Sequence, residues 1–153
     1  MPEVSAPAIT GQLLGALREA FEGPERWSYF TDTGAGLLDT LEELTAEEAA
    51  RPVGGTSIAA HARHVLFALL SSAAWIEGDR TPRDWRSSWH TDPVDEAEWL
   101  DLLDGLRNAS RDLRKAIEDH ATDSEETLGG ALGAIAHTAY HLGAIRAKAV
   151  CGK

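Results

Sequence analysis

The sequence predicts an all-α protein, and three observations carry that reading. Apolar residues recur at helical spacing almost throughout the 153 residues. No stretch sustains period-two alternation with β-branched enrichment. Capping residues stand directly in front of several of the periodic runs. The length fits a single domain over residues 1–153, large enough to bury about two-thirds of its unfolded surface in one core.

The first helix carries Ile9, Leu13, Leu17 and Phe21 on one face and is interrupted by Gly23-Pro24, which predicts a loop near residues 23–33. Leu37, Leu38, Leu41 and Leu44 resume the pattern. Thr45 and Glu48 have capping-box spacing, so a short helical turn is expected over Ala46 to Ala50, ended by Pro52 and Gly54-Gly55. Thr56 or Ser57 can cap the second long helix, whose stripe of Ile58, Ala62, Val65, Leu69, Ala73 and Ile76 runs to a stop at Gly78. For the third, Asp92 reads as N-cap and Pro93 as the first helical residue, with Asp95 and Glu96 in the first turn; its stripe is Trp99, Leu103, Leu106, Leu113 and Ile117. The fourth follows Thr122 to Glu126 and carries Leu128, Leu132, Ile135, Leu142 and Ile145. Gly129, Gly130, Gly133 and Gly143 lie along it at about 1 kcal/mol each relative to alanine, which predicts close approach of a neighbouring helix or ligand.

Four amphipathic helices without strands point to a four-helix bundle. The longest connection, Asp79 to Thr91 between the second and third helices, holds Trp85, Trp89, Arg80, Arg83 and Arg86 and is expected to fold back on the bundle.

Charge and composition exclude several classes. A net charge of −11, from 25 acidic and 14 basic residues, argues against a nucleic-acid partner, because phosphate binding requires a basic footprint. No run approaches the ~18 apolar residues of a membrane span, so no membrane association is expected. The single Cys151 forms no internal disulfide and is expected to be inert, and the start Met-Pro-Glu-Val-Ser lacks the features of a signal peptide. A cytoplasmic location is expected.

The most informative feature is His137 and His141. Residues four apart stand one above the other on a helix, so two imidazoles can converge on one metal ion. A third ligand must come from another element, and His61 and His64 compete for that place on the second long helix. On a helical wheel His61 lies about 60° from the centre of the apolar stripe and His64 about 120°, which slightly favours His61 and leaves the choice open. His90 and His120 lie beside turn signals. Neutral imidazoles suit Zn, Ni, Fe or Co, and nothing in the sequence selects among these divalent transition metals.

These motifs resemble the DinB-like (DinB/YfiT-type) superfamily of metal-dependent four-helix bundles, over most of the chain. In that family a Ser or Thr and an aliphatic residue precede a ligand His seven positions after the Ser/Thr, as do Ser57, Ile58 and His64 here; the other ligands come from HxxxH with a glycine two residues on, as in His137, His141 and Gly143. The resemblance therefore implies His64, His137 and His141 as the metal ligands. It also makes a homodimer the expected assembly. The chain departs from the family at Ala60, often acidic there, and at Ala144, often Gln, so contacts around the ligands are expected to differ.

An ion held by three neutral imidazoles keeps its full charge and can stabilise a bound thiolate or hydroxide. The thiol route resembles the thiol-dependent S-transferases and mycothiol-dependent isomerases of the superfamily, and implies a low-molecular-weight thiol and a small electrophilic substrate as partners. It is preferred to a hydrolase because no catalytic carboxylate stands beside the histidines in sequence. A non-enzymatic dimeric stress-response or interaction module is the competing class. Arg146, Trp85 and Trp89 are the candidate substrate contacts, the tryptophans as a lid, and Tyr140, about 100° off the ligand face, is expected to pack.

Overall fold

A computed structural model of the chain describes residues 3–32 and 34–152. Residues 1, 2, 33 and 153 lie outside this description, and with them the Met-Pro start and the last residue of the loop expected over 23–33. The elements in order are α1 (Ala6–Glu22), α2 (Leu37–Glu42), α3 (Ala46–Ala50), β1 (Pro52–Val53), β2 (Thr56–Ser57), α4 (Ile58–Ile76), α5 (Glu96–His120) and α6 (Glu125–Cys151). The protein is overwhelmingly helical. Of the four long helices, α4 packs on both α5 and α6, and α1 packs on the same two.

Each long helix buries the stripe its sequence carries. Leu13, Leu17 and Phe21 of α1, Ile58, Val65, Leu69 and Ile76 of α4, Trp99, Leu106, Leu113 and Ile117 of α5, and Ile135, Leu142 and Ile145 of α6 meet in one core with Leu37 and Leu41 of α2. A buried residue of this size contributes about 1.5–3 kcal/mol by leaving water, so tertiary packing decides these helices more than propensity does. Leu132 is the exception. It is 54 % exposed and borders an apolar groove between α1 and α6 with Ile9, Leu13 and Leu128.

The expectation of no strand is corrected by the ladder of β1 and β2, in which Pro52 pairs with Ser57 and Val53 with Thr56. Gly54 and Gly55 both take positive φ, 61° and 88°, the conformation of a tight two-residue hairpin turn that residues with a β-carbon rarely adopt. The hairpin delivers the chain to α4, where Ser57, rather than Thr56, caps the helix by accepting from the Ala60 amide at 3.1 Å. Lys148 of α6 ties the hairpin down by donating to the Val53 and Thr56 carbonyls.

The third long helix starts later than its sequence suggests. Asp95 is the N-cap and forms a reciprocal capping box with Glu98, whereas Asp92 and Pro93 precede the helix in an irregular segment. The reason lies in α4, whose Arg63 guanidinium takes the carbonyls of Asp92 and Pro93 at 2.6 and 3.4 Å while Val94 is buried. These contacts and the burial of Val94 hold residues 92–94 in an irregular path against α4, ahead of the first helical turn. Asp95→Ala is expected to destabilise by about 1 kcal/mol and Asp92→Ala by a few tenths. Urea denaturation of the two variants measures the difference.

Of the four glycines that suggested close approach, only Gly130 has it: a β-carbon there would come within 3.1 Å of Trp75 on α4. Gly129, Gly133 and Gly143 face open space.

Candidate metal centre

Three elements bring the histidines together. His61 and His64 stand on the first turns of α4, His137 and His141 near the middle of α6, and the connection from 77 to 95 folds back over them. His64, His137 and His141 place one ring nitrogen each within 4.8 Å of one another. The Nε2 of His137 is 3.1 Å from that of His64 and 3.2 Å from that of His141. Two nitrogens each about 2.0–2.1 Å from one ion, at angles between a right angle and the tetrahedral value, lie about 2.8–3.4 Å apart. The spacing fits a shared cation.

The partners of the far ring nitrogens set the tautomers. Ser88 Oγ donates its one proton to the Trp85 carbonyl at 2.6 Å, so it accepts at 2.6 Å from His64 Nδ1–H. The Nε2 of His64 therefore carries a lone pair and faces the cluster. The Nδ1 atoms of His141 and His61 face each other at 2.9 Å, and His61 Nε2 lies 3.1 Å from Thr56 Oγ1. When His141 donates to His61 and His61 donates to Thr56, the His141 Nε2 lone pair also turns inward. Inward lone pairs are the arrangement a cation requires, and His61 then stands behind His141.

Burial favours the neutral form of all four rings. Burial pushes the His64 pKa down to about 4, helped by the neighbouring His137 and His61, and pushes His141 down to about 3, helped by the other three rings. Burial likewise lowers His137, and burial followed by the Lys148 ammonium lowers His61. Among the described residues no carboxylate hydrogen-bonds to any of the four. The acidic contacts of histidines are elsewhere, at His90 with Asp92 and His120 with Asp123.

The tryptophans of the connection lie against the rings. Trp89 stacks on His64 at 4.2 Å between centroids and meets His61 and His141 at 5.2 and 5.6 Å, while Trp85 stands between Phe67 and His137. Other residues singled out in the sequence lie apart. Arg146 reaches over Gly34, in a depression with Thr31, Asp32 and Leu142, and does not line the space beside His137. Tyr140, expected to pack, is 71 % exposed because it points outward from α6, and it touches the cluster only edge-on to His141. Cys151 is exposed.

Beside the histidines is a cavity of about 380 Å³ between α4, the connection and α6, with His137 in its wall and Trp75, Trp85, Gly130 and Ala134 around it. Sequence reasoning missed this cavity and the roles of Ser88 and Thr56, because all three depend on the path of the chain between helices. His61 carried a signal, its place near the apolar stripe, but one equally consistent with ligation.

No curated protein and no solved structure matches the chain. The family model of the DinB superfamily matches residues 29–145, which takes in all four clustered histidines and the connection that covers them. Three convergent histidines in the expected order, on a mostly helical frame, agree with that match, and the chain belongs to the DinB superfamily.

Proposed function

We propose that His64, His137 and His141 bind one divalent transition metal, Zn, Ni, Fe or Co, through their Nε2 atoms, and that the centre activates a low-molecular-weight thiol for transfer to a small electrophilic acceptor. On this reading α1, α4, α5 and α6 are the four-helix bundle of a single DinB-like domain, and residues 77–95 are its long connection. The observation that carries the proposal is the convergence of three Nε2 atoms, with Ser88 behind His64 and His61 behind His141. A cation bound by neutral imidazoles supplies undiminished positive charge that lowers the pKa of a thiol or water in its open position.

The residues of this chain do the rest. Ser88 and His61 keep the lone pairs of His64 and His141 inward. Trp89, stacked on His64, keeps water from one side of the cluster. The thiol releases its proton to solvent, the sulfur forms the new bond to the acceptor carbon, and the displaced electron pair leaves with a departing group or is protonated on the neighbouring carbon. Hydrolysis is the weaker reading, because water attack benefits from a general base and no carboxylate contacts the cluster among the described residues.

Adding 2-mercaptoethanol to the Co(II)-loaded protein is expected to produce sulfur-to-metal charge-transfer absorption, and the His141→Ala protein is expected to lack it. Absence of that band in a stoichiometrically loaded protein that still cleaves an ester or amide would assign the site to hydrolysis. A loaded protein inert to both would favour the non-enzymatic module. Homodimerisation, implied by the family resemblance, is read directly by sedimentation equilibrium.

A further inference from the structure

The thiol-transfer reading leaves the acceptor unspecified, and the cavity beside His137 supplies the chemistry to specify it. The space of about 380 Å³ falls within the range that holds small organic ligands. Its walls are two indoles, Trp75 and Trp85, and the small residues Ala68, Gly130 and Ala134. With Arg80 over one face of Trp75, the indoles and the small residues between them make a largely apolar slot suited to an aromatic or conjugated group.

The charges at its rim are already matched. Arg80 lies over the Trp75 ring at 3.9 Å and pairs with Glu126 at 3.3 Å, and Arg83 pairs with Asp79. An anionic ligand would compete with Glu126 and Asp79 for these guanidinium groups. Two neutral donors are free: the hydroxyls of Ser71 and Ser72 line the cavity, and among the described residues neither bonds to another protein group.

We propose that this cavity is the acceptor subsite and takes a flat, uncharged, conjugated or aromatic carbonyl compound, its oxygen on a serine hydroxyl and its electrophilic end toward His137. The assignment of the bound molecule as acceptor rests on the thiol-transfer reading. The thiol itself is the poorer fit, since low-molecular-weight cellular thiols are peptide- or sugar-like and charged, and the walls offer no unmatched charge. In the addition step the carbon–sulfur bond forms as the acceptor's carbon–carbon π pair moves to the adjacent carbon, which takes a proton from solvent; no oxidant or reductant is consumed.

Gly133 gives the test. It opens on the cavity, a β-carbon there would meet nothing within 4 Å, and a helical side chain leans toward the preceding turn, here the one containing Gly130. Gly133→Leu therefore fills the slot while raising helix propensity by up to about 1 kcal/mol, so the variant folds. Isothermal titration of the Co(II)-loaded protein with cinnamamide, a planar neutral amide, and with succinate, a charged and flexible diacid, reads the specificity. We expect cinnamamide to bind, Gly133→Leu to weaken it by at least about ten-fold with Co(II) content unchanged, and Leu100→Ala, an exposed substitution on α5 away from the cavity, to leave it unaltered. Equal affinity in the Gly133→Leu protein, tighter binding of succinate, or no heat from cinnamamide would overturn the assignment. Co(II) loading is read separately from its visible spectrum: loading without cinnamamide binding removes the acceptor site and leaves the metal reading, whereas Gly133-dependent cinnamamide binding without loading keeps the cavity as a ligand site and removes the thiol chemistry.

Discussion

Replacing Glu19 with alanine is expected to destabilise the protein by about 3–5 kcal/mol, a large share of the total for a domain of this size. Glu19 is 1 % exposed, yet it is charged. Its carboxylate accepts from the amides of Tyr29, Phe30 and Thr31 at 2.6, 3.0 and 2.8 Å and from the hydroxyls of Ser28 and Thr31 at 2.8 and 2.7 Å. The whole turn after α1 is wound on this one group. Alanine leaves the Tyr29 and Phe30 amides and the Thr31 hydroxyl without their partner, each at about 1–3 kcal/mol where water cannot reach it, while the Thr31 amide keeps Ser28 Oγ at 3.0 Å. Glu19→Gln keeps the shape but turns a donor toward donors, and is expected to cost about half as much.

The same carboxylate gives a pH signature. Burial alone would raise its pKa; the amides of Tyr29, Phe30 and Thr31 and the Thr31 hydroxyl outweigh burial and hold it at about 2, against 4.5 for an ordinary glutamate. A depressed carboxyl pKa contributes stability that is complete above the unfolded value and is lost as the pH falls toward the folded one. The contribution, about 3 kcal/mol, should therefore disappear between pH 4.5 and 2. Urea midpoints across that range should fall more steeply for the wild type than for Glu19→Gln. Parallel profiles would contradict this account of the loop.

The second large effect is on metal affinity. His137→Ala is expected to abolish stoichiometric binding, because His137 Nε2 is the atom that the Nε2 atoms of His64 and His141 both face in the proposed site. His61→Ala and Ser88→Ala should instead weaken binding by about 10–100-fold, since each removes the partner that orients a ligand rather than a ligand. Competition against a chromophoric chelator ranks the variants. If His61→Ala matched His137→Ala while His64→Ala bound normally, His61 would be the third ligand.

Much of this arrangement is legible in the sequence, and the rest has identifiable reasons for being hidden. The stripes of α1, α4 and α5 and the capping box at Thr45 are local patterns, and local patterns survive folding. His137 and His141 belong with them, since i and i+4 share a helix face wherever the helix goes. The choice between His61 and His64 does not. Both are buried at the contact of α4 with α6, and what separates them is which ring nitrogen reaches the centre and which reaches Thr56 or Ser88. Glu19 lies off the apolar stripe of α1 and reads as solvent-facing until the turn at 28–31 closes over it. α5 starts three residues later than its local sequence suggests, where Arg63, 29 residues upstream of Asp92, binds the carbonyls of Asp92 and Pro93. In each case the deciding partner is distant in sequence.

Co(II) titration of the metal-free protein, followed by X-ray absorption of the product, tests the central claim most directly. The account predicts one ion per chain in the wild type, with three imidazole nitrogens about 2.0–2.1 Å away and their outer-shell scattering visible. It predicts loss of that signature in His64→Ala, His137→Ala and His141→Ala alike. A wild-type protein that binds no ion stoichiometrically, or binds one with carboxylate oxygens in place of imidazoles, would contradict it.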